Sequence, residues 1–146
     1  MKRWPRILDS IASGKPERIP FVETLHMPGL LKWEPGHIWQ DWQVREDLFH
    51  PRGALFGGYL AALADRALGL ATMTVLEDDE AFTTADLNVS FFRAVSSGTL
   101  HIEAEVIHRG RSLIQVEATF IRDDGKLAAK ASASQAVIPH PDSSSD

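Results

Sequence analysis

The sequence predicts an α+β domain in which one long helix packs against an antiparallel sheet, behind an N-terminal helical extension. Three observations lead there. Gly57–Leu76 is the one nearly continuous apolar segment of helix length. Everything after it falls into four alternating segments joined by short turns. Before it, Pro5, Pro16, Pro20, Pro28 and Pro35 break the chain into short pieces. A helix followed by half-polar strands buries its surface against one face of the sheet they form.

Taken in order, Arg3–Ser13 reads as a short amphipathic helix, with Ile7, Leu8 and Ile11 on one side and Gly14 ending it. Glu34-Pro35-Gly36 is a turn, and His37–Arg45 a strand carrying Trp39 and Trp42. A polar loop, Glu46–Gly53, leads into the long helix. Thr83–Phe92 alternates, with Thr83, Ala85, Leu87, Val89 and Phe91 on one face and Thr84, Asp86, Asn88 and Ser90 on the other. Leu100–Ile107, Ser112–Arg122 and Lys126–Ile138 alternate likewise, their apolar faces led by Ile102, Val116 and Ala131. Ser96-Ser97-Gly98, Arg109-Gly110-Arg111 and Asp123-Asp124-Gly125 are hairpin turns. The chain therefore divides into a helical extension (1–28), a main domain (29–138) and a polar tail (139–146) expected to be mobile.

Composition narrows the function. A chain of 146 residues with 44% apolar and 24% charged residues is an ordinary globular domain. Its net charge of −5 argues against a nucleic-acid partner. Cysteine is absent, which excludes a thiolate nucleophile and a cysteine-held metal. The first twenty residues contain no signal-like apolar core, so a cytoplasmic location is expected. The apolar stretch Leu55–Leu76 carries Asp65 and Arg66 at its centre, where each charge would cost about 2.5–3.5 kcal/mol in a bilayer; a helix buried in a protein core is the better reading. The six histidines are scattered without metal-ligand spacing, so no metal is expected. A serine-hydrolase elbow and nucleotide-binding glycine loops are absent.

The chemistry concentrates on the long helix. A carboxylate at its buried centre needs a reason. Asp65 shares a face with Gly58, Ala61, Ala62, Leu68, Gly69 and Thr72. Such small neighbours admit a ligand; equally, Asp65 reads as a structural carboxylate paired with an arginine or capping a backbone. Gly57-Gly58 opens the helix, where unpaired N–H groups form an anion site; tight packing of the helix start explains the glycines as well.

LFGGYLAALADRALGLA, TTADLNVSFFRAV and HRGRSLIQVEATFIRDDGKLAAKASASQAV together resemble the PaaI-type hotdog-fold acyl-CoA thioesterases. The pattern is a pair of glycines opening a long helix, an acid seven residues after the second, a Thr-x-Asp-Leu strand and a Gly-Arg hairpin. The resemblance spans about His37 to Ile138. It implies a curved antiparallel sheet wrapped around the helix, and chains paired into homodimers, often as homotetramers. It further implies a thioester hydrolase with Asp65 as general base or nucleophile, the Gly57 N–H as oxyanion donor and Thr84 holding the acid or the water. Phe56 stands where the family has His, and His50 where it usually has Asn; Phe56 cannot hydrogen-bond, so His50 is the candidate for any lost orienting role. Phe56 and Gly58 border the expected substrate site.

Geometry argues for a dimer independently. Gly57 and Asp65 are about 12 Å apart along the axis at about 1.5 Å per residue. A base and an oxyanion donor must both lie within about 3 Å of one reacting group, which two antiparallel copies of the helix achieve and one does not. Coenzyme A, part of the substrate and not a cofactor, needs cations for its phosphates; Arg93, Arg109 and Arg111 are the candidates. The rival expectations are an acyl-CoA-binding or regulatory domain without turnover, suggested by Phe56, and a hydratase using His50. The sequence leaves the acyl group open.

Overall fold

The computed structural model describes residues 2–143. Helix α1 (Arg3–Ala12), helix α2 (Pro20–Thr24) and strands β1 (Lys32–Glu34) and β2 (His37–Gln43) precede the central helix α3 (Gly57–Met73). Strands β3 (Glu80–Phe91), β4 (Thr99–Arg109), β5 (Leu113–Ile121) and β6 (Leu127–Pro139) follow it. The six strands form one sheet in the order β1-β2-β4-β5-β6-β3, every neighbouring pair antiparallel.

The alternation expected for β4, β5 and β6 sets the core. Leu100, Ile102 and Ala104, then Ile114, Val116, Ala118 and Phe120, then Ala129, Ala131 and Ala133 are all buried on the helix side. They close on Leu63, Ala64, Ala67, Leu68, Leu70 and Ala71 of α3. Each fully buried Leu or Ile in this layer contributes about 1.5–3 kcal/mol, and the alanines of β6 let the helix backbone come close.

Helix α3 stops three residues short of the Leu76 expected. The Thr74 hydroxyl donates to the Ala71 carbonyl at 2.7 Å while accepting from the Gly36 N–H at 2.7 Å. The next amides bond three residues back, Val75 to Thr72 and Leu76 to Met73, which tightens and ends the helix. Helix α2 and strand β1 were not expected: both are too short to show a period.

The extension is docked, not appended. Trp4, Leu8 and Ile11 of α1 join the core, and the Trp4 indole N–H donates to the carbonyls of Glu77 and Glu80. Tyr59 Oη donates to the Leu25 carbonyl at 2.5 Å, tying α3 to the chain after α2. At the other end, the tail expected to be mobile is held as far as it is described. The His140 N–H donates to the Asp79 carbonyl at 2.8 Å, and Arg3 pairs with Asp142 at 3.2 Å; residues 144–146 lie outside the described residues. Among the described residues no helix is long and apolar enough to cross a membrane.

Candidate active site

Strand β3 does not alternate as expected, and the difference builds the site. The register with β6 shifts between Thr84 and Asp86, leaving Ala85 as an extra residue. Paired residues share a sheet face. Thr84 pairs with Gln135, and Leu87, Val89 and Phe91 pair with Ala133, Ala131 and Ala129. All four partners are buried on the helix side. The extra residue thus inverts the phase of the strand, so Thr84 faces the helix together with Leu87 and not opposite it.

That turn brings Thr84 to Asp65. Thr84 Oγ1 donates to Asp65 Oδ1 at 3.0 Å, fixing the carboxylate and leaving its other oxygen open. Both line a cavity of 280 Å³ whose walls include Gly69 and Phe82, with Phe21 and Leu25 from the extension. Asp65 is exposed in the single chain, contrary to the buried carboxylate expected. The reason is its position on the flank of α3 next to β3, the edge strand of the sheet.

The helix start opens into a different cavity, of 350 Å³, lined by His50, Arg52, Gly57, Phe91 and Arg93 among others. The N–H groups of Tyr59 and Leu60 are taken by the Phe56 carbonyl, at 3.0 and 3.2 Å. Those of Gly57 and Gly58 have no acceptor among the described residues, so the first turn offers two donors to whatever enters. His50 Nδ1 accepts from the Arg52 N–H at 3.1 Å, so the neutral ring carries its hydrogen on Nε2. Phe56 is 59% exposed and its ring lies over Gly58, where an added Cβ would come within 2.5 Å of it. A side chain at position 58 would have to displace this exposed ring.

The three candidate arginines separate. Arg93 borders the Gly57 cavity while donating to the Leu127 carbonyl at 2.8 Å. Arg109 is engaged elsewhere: it donates to the Gly110 carbonyl at 2.7 Å and forms an ion pair with Glu80. Burial acts to raise the Glu80 carboxyl, but the Glu77 backbone and Arg109 outweigh it and hold the group below the usual carboxylate range. Arg111 is exposed, and neither it nor Arg109 lines either cavity. No group of three His, Asp or Glu close enough to hold a metal ion occurs among the described residues.

Three buried polar side chains had no functional part in the sequence reading: Arg66, Gln135 and Gln40, the last donating to the Pro28 and Gly29 carbonyls. Arg66 lines the Asp65 cavity with its guanidinium 5.4 Å from the Phe21 ring, and burial lowers its pKa from the ordinary arginine value. Gln135, fully buried behind Thr84, has both amide atoms without a partner among the described residues. A charge in an apolar helix is a visible signal for Arg66; Gln135 sits in an alternating strand and gives none.

The edge strand β3 exposes apolar side chains as well as polar ones. Leu87 and Phe91 of β3, and Phe92 just after it, are 38%, 54% and 55% exposed, and the two phenylalanines line the Gly57 cavity. Long exposed edges invite pairing with another strand.

Residues 52–129 match the model of the thioesterase superfamily. Over 109 residues, 75% of this chain and 77% of the relative, the chain is 31% identical to a Saccharolobus solfataricus protein assigned as an esterase. Over 105 residues, 72% of this chain and 77% of the relative, it is 28% identical to the proofreading thioesterase EntH of Klebsiella pneumoniae. Among solved structures, a Ralstonia eutropha protein assigned as a thioesterase and related to phenylacetic acid degradation superposes with a TM-score of 0.79 at 26% identity, covering 89% of this chain and 98% of that one. A thioesterase from Haemophilus influenzae superposes with a TM-score of 0.74 at 25% identity, covering 81% and 82%. The long helix wrapped by a curved antiparallel sheet is the hotdog fold.

Proposed function

The chain belongs to the thioesterase superfamily, and on that premise we propose that it hydrolyses an acyl-CoA thioester to the free acid and coenzyme A, at sites each assembled from two copies of the chain. The observation that carries this reading is the division of the reactive groups: Asp65 with Thr84 in one open cavity, the Gly57 amide with His50 and Arg93 in the other. Each half lacks what the other has. An antiparallel two-fold pairing of β3 edges centred between Leu87 and Asn88 would set Thr84 of one copy beside Phe91 of the other, joining opposite halves and covering the exposed aromatic residues. We expect a homodimer, and a dimer of dimers where sheets also meet.

Asp65 takes a proton from water, and the oxygen attacks the thioester carbonyl carbon. The tetrahedral oxyanion is received by the Gly57 N–H at the positive end of α3. Collapse breaks the carbon–sulfur bond, and the departing coenzyme A thiolate takes the proton that Asp65 holds. Thr84 keeps the carboxylate aimed throughout. His50, with Nε2–H free, is placed to donate in the part of the cleft where Phe56 cannot. Direct attack by Asp65 through an anhydride uses the same groups. Arg93 is the nearest of the three arginines to the helix tip and is assigned to the coenzyme A phosphates.

The test is release of free thiol from a panel of acyl-CoA esters by the wild type and Asp65→Asn. Hydrolysis that falls by about 10²-fold or more in a folded variant is the expected result; full activity in Asp65→Asn would refute the assignment. The exposed Phe56 favours one other reading, a domain that binds acyl-CoA without turnover, and tight binding of the esters without thiol release would decide for it.

A further inference from the structure

If the hydrolase reading holds and the acyl group lies in the cavity beside Asp65, one of its walls is built for more than hydrocarbon. Arg66 is the only buried charged residue among the described residues, 9% exposed. It lines the cavity, and its Nε has no hydrogen-bond partner. The ion pairs among the described residues involve other arginines. Its compensation is the face of Phe21. A buried cation without an anion is unfavourable, and a guanidinium presents a fork of donors that matches a carboxylate.

From this we infer that the acyl group carries a carboxylate at the end remote from the thioester, received by Arg66: the substrate class is the coenzyme A monothioester of a short dicarboxylic acid. The remaining walls, Phe21, Leu25, Met27, Met73 and Phe82, are apolar and suit the methylene chain between the two ends. The cavity volume, 280 Å³, lies just under the roughly 300–1,000 Å³ of pockets for drug-sized ligands, which limits that chain to a few carbons. Asp65 does not cancel the site. Consecutive helix side chains diverge by about 100°; Asp65 is turned to Thr84 of β3, whereas Arg66 is turned to Phe21 of the extension. A phosphate of coenzyme A would present the same anionic chemistry, but it is separated from the thioester by the pantetheine arm and would meet a single cation here.

The experiment compares kcat/KM for glutaryl-CoA and valeryl-CoA, which differ by the terminal carboxylate, in the wild type, Arg66→Met and Arg66→Lys. We expect the wild type to favour the glutaryl ester by about tenfold or more, Arg66→Met to erase that ratio, and Arg66→Lys to keep part of it. The ratio is insensitive to the amount of folded protein. A wild type indifferent to the carboxylate overturns the inference, as does a ratio unchanged in Arg66→Met. The latter is what a phosphate contact, common to both esters, would give. Titration of Asp65→Asn with the same two esters reads the discrimination in Kd. A binding preference without turnover in the wild type sinks the hydrolase reading alone, and turnover without preference sinks the anion site alone.

Discussion

Two inactive variants mixed together report whether the site is shared. Gly57→Pro deletes the amide proposed to receive the oxyanion and spares the fold. Proline is tolerated at the first helical position. Phe56, with φ −60° and ψ 128°, already has the extended backbone that a following proline requires. The nearest obstacle to a Cβ is the Phe91 ring at 3.4 Å. Losing one oxyanion donor costs about 10²–10³ in kcat, or about 2.7–4 kcal/mol, and losing the base costs about 10²–10⁴, so Gly57→Pro and Asp65→Asn should each approach background. After a one-to-one mixture is unfolded and refolded, random pairing makes about half of the dimers mixed, each with one doubly damaged site and one intact site, so about a quarter of wild-type activity returns. Activity is followed by thiol release, and mixed dimers are counted through two affinity tags. If tagged heterodimers form and activity stays at the level of the parents, each site belongs to one chain and the reasoning fails.

Three further outcomes follow from groups described above. Arg93→Glu should raise KM for coenzyme A esters several-fold with a smaller effect on kcat; an unchanged KM removes Arg93 from phosphate binding. Gln135→Met should raise Tm, because it removes a buried amide without partners whose desolvation costs on the order of 1–3 kcal/mol; a lower Tm in thermal denaturation would mean that a buried water or substrate group uses the amide. His101 bonds Asp41 at 2.7 Å and Asp123 at 3.0 Å, and these carboxylates raise its pKa. A folded pKa above the unfolded value of about 6.5 means that the stabilisation is complete below that pH and lost as pH climbs through the folded value. The Tm gap between wild type and His101→Gln should therefore be widest just below the unfolded value and narrow as pH rises through the folded one; a gap that widens with pH contradicts the assignment.

The sequence disclosed the parts whose signal is local. The Gly57-Gly58 pair marked the helix start to the residue, and the alternation in β4, β5 and β6 named the core because the middle of each strand has helix on one side. It failed where facing depends on neighbours. Thr84 and Asp65 were both singled out, but Thr84 was set on the wrong face, since nothing in Thr84-Ala85-Asp86 announces an unpaired residue. Asp65 was read as buried because periodicity registers an apolar flank without saying whether the chain's own sheet reaches it. Arg66 was read only as an argument against a membrane span: its meaning depends on Phe21, forty-five residues earlier, folding back over it.

The unpaired residue in β3 carries a consequence for any library built on that strand. Even-numbered positions look inward up to Thr84 and odd-numbered ones from Leu87 onward, so the rule for which sites tolerate a polar side chain reverses parity at Ala85. Excision of that single alanine would make the ladder continuous with no slip, since Thr84 opposite Gln135 and Asp86 opposite Ser134 are already neighbouring rungs, and a single alternation would then run the length of the strand. Thr84 would keep its rung and its hydroxyl on the carboxylate's side, and what would be lost is the local bend and added twist of the bulge.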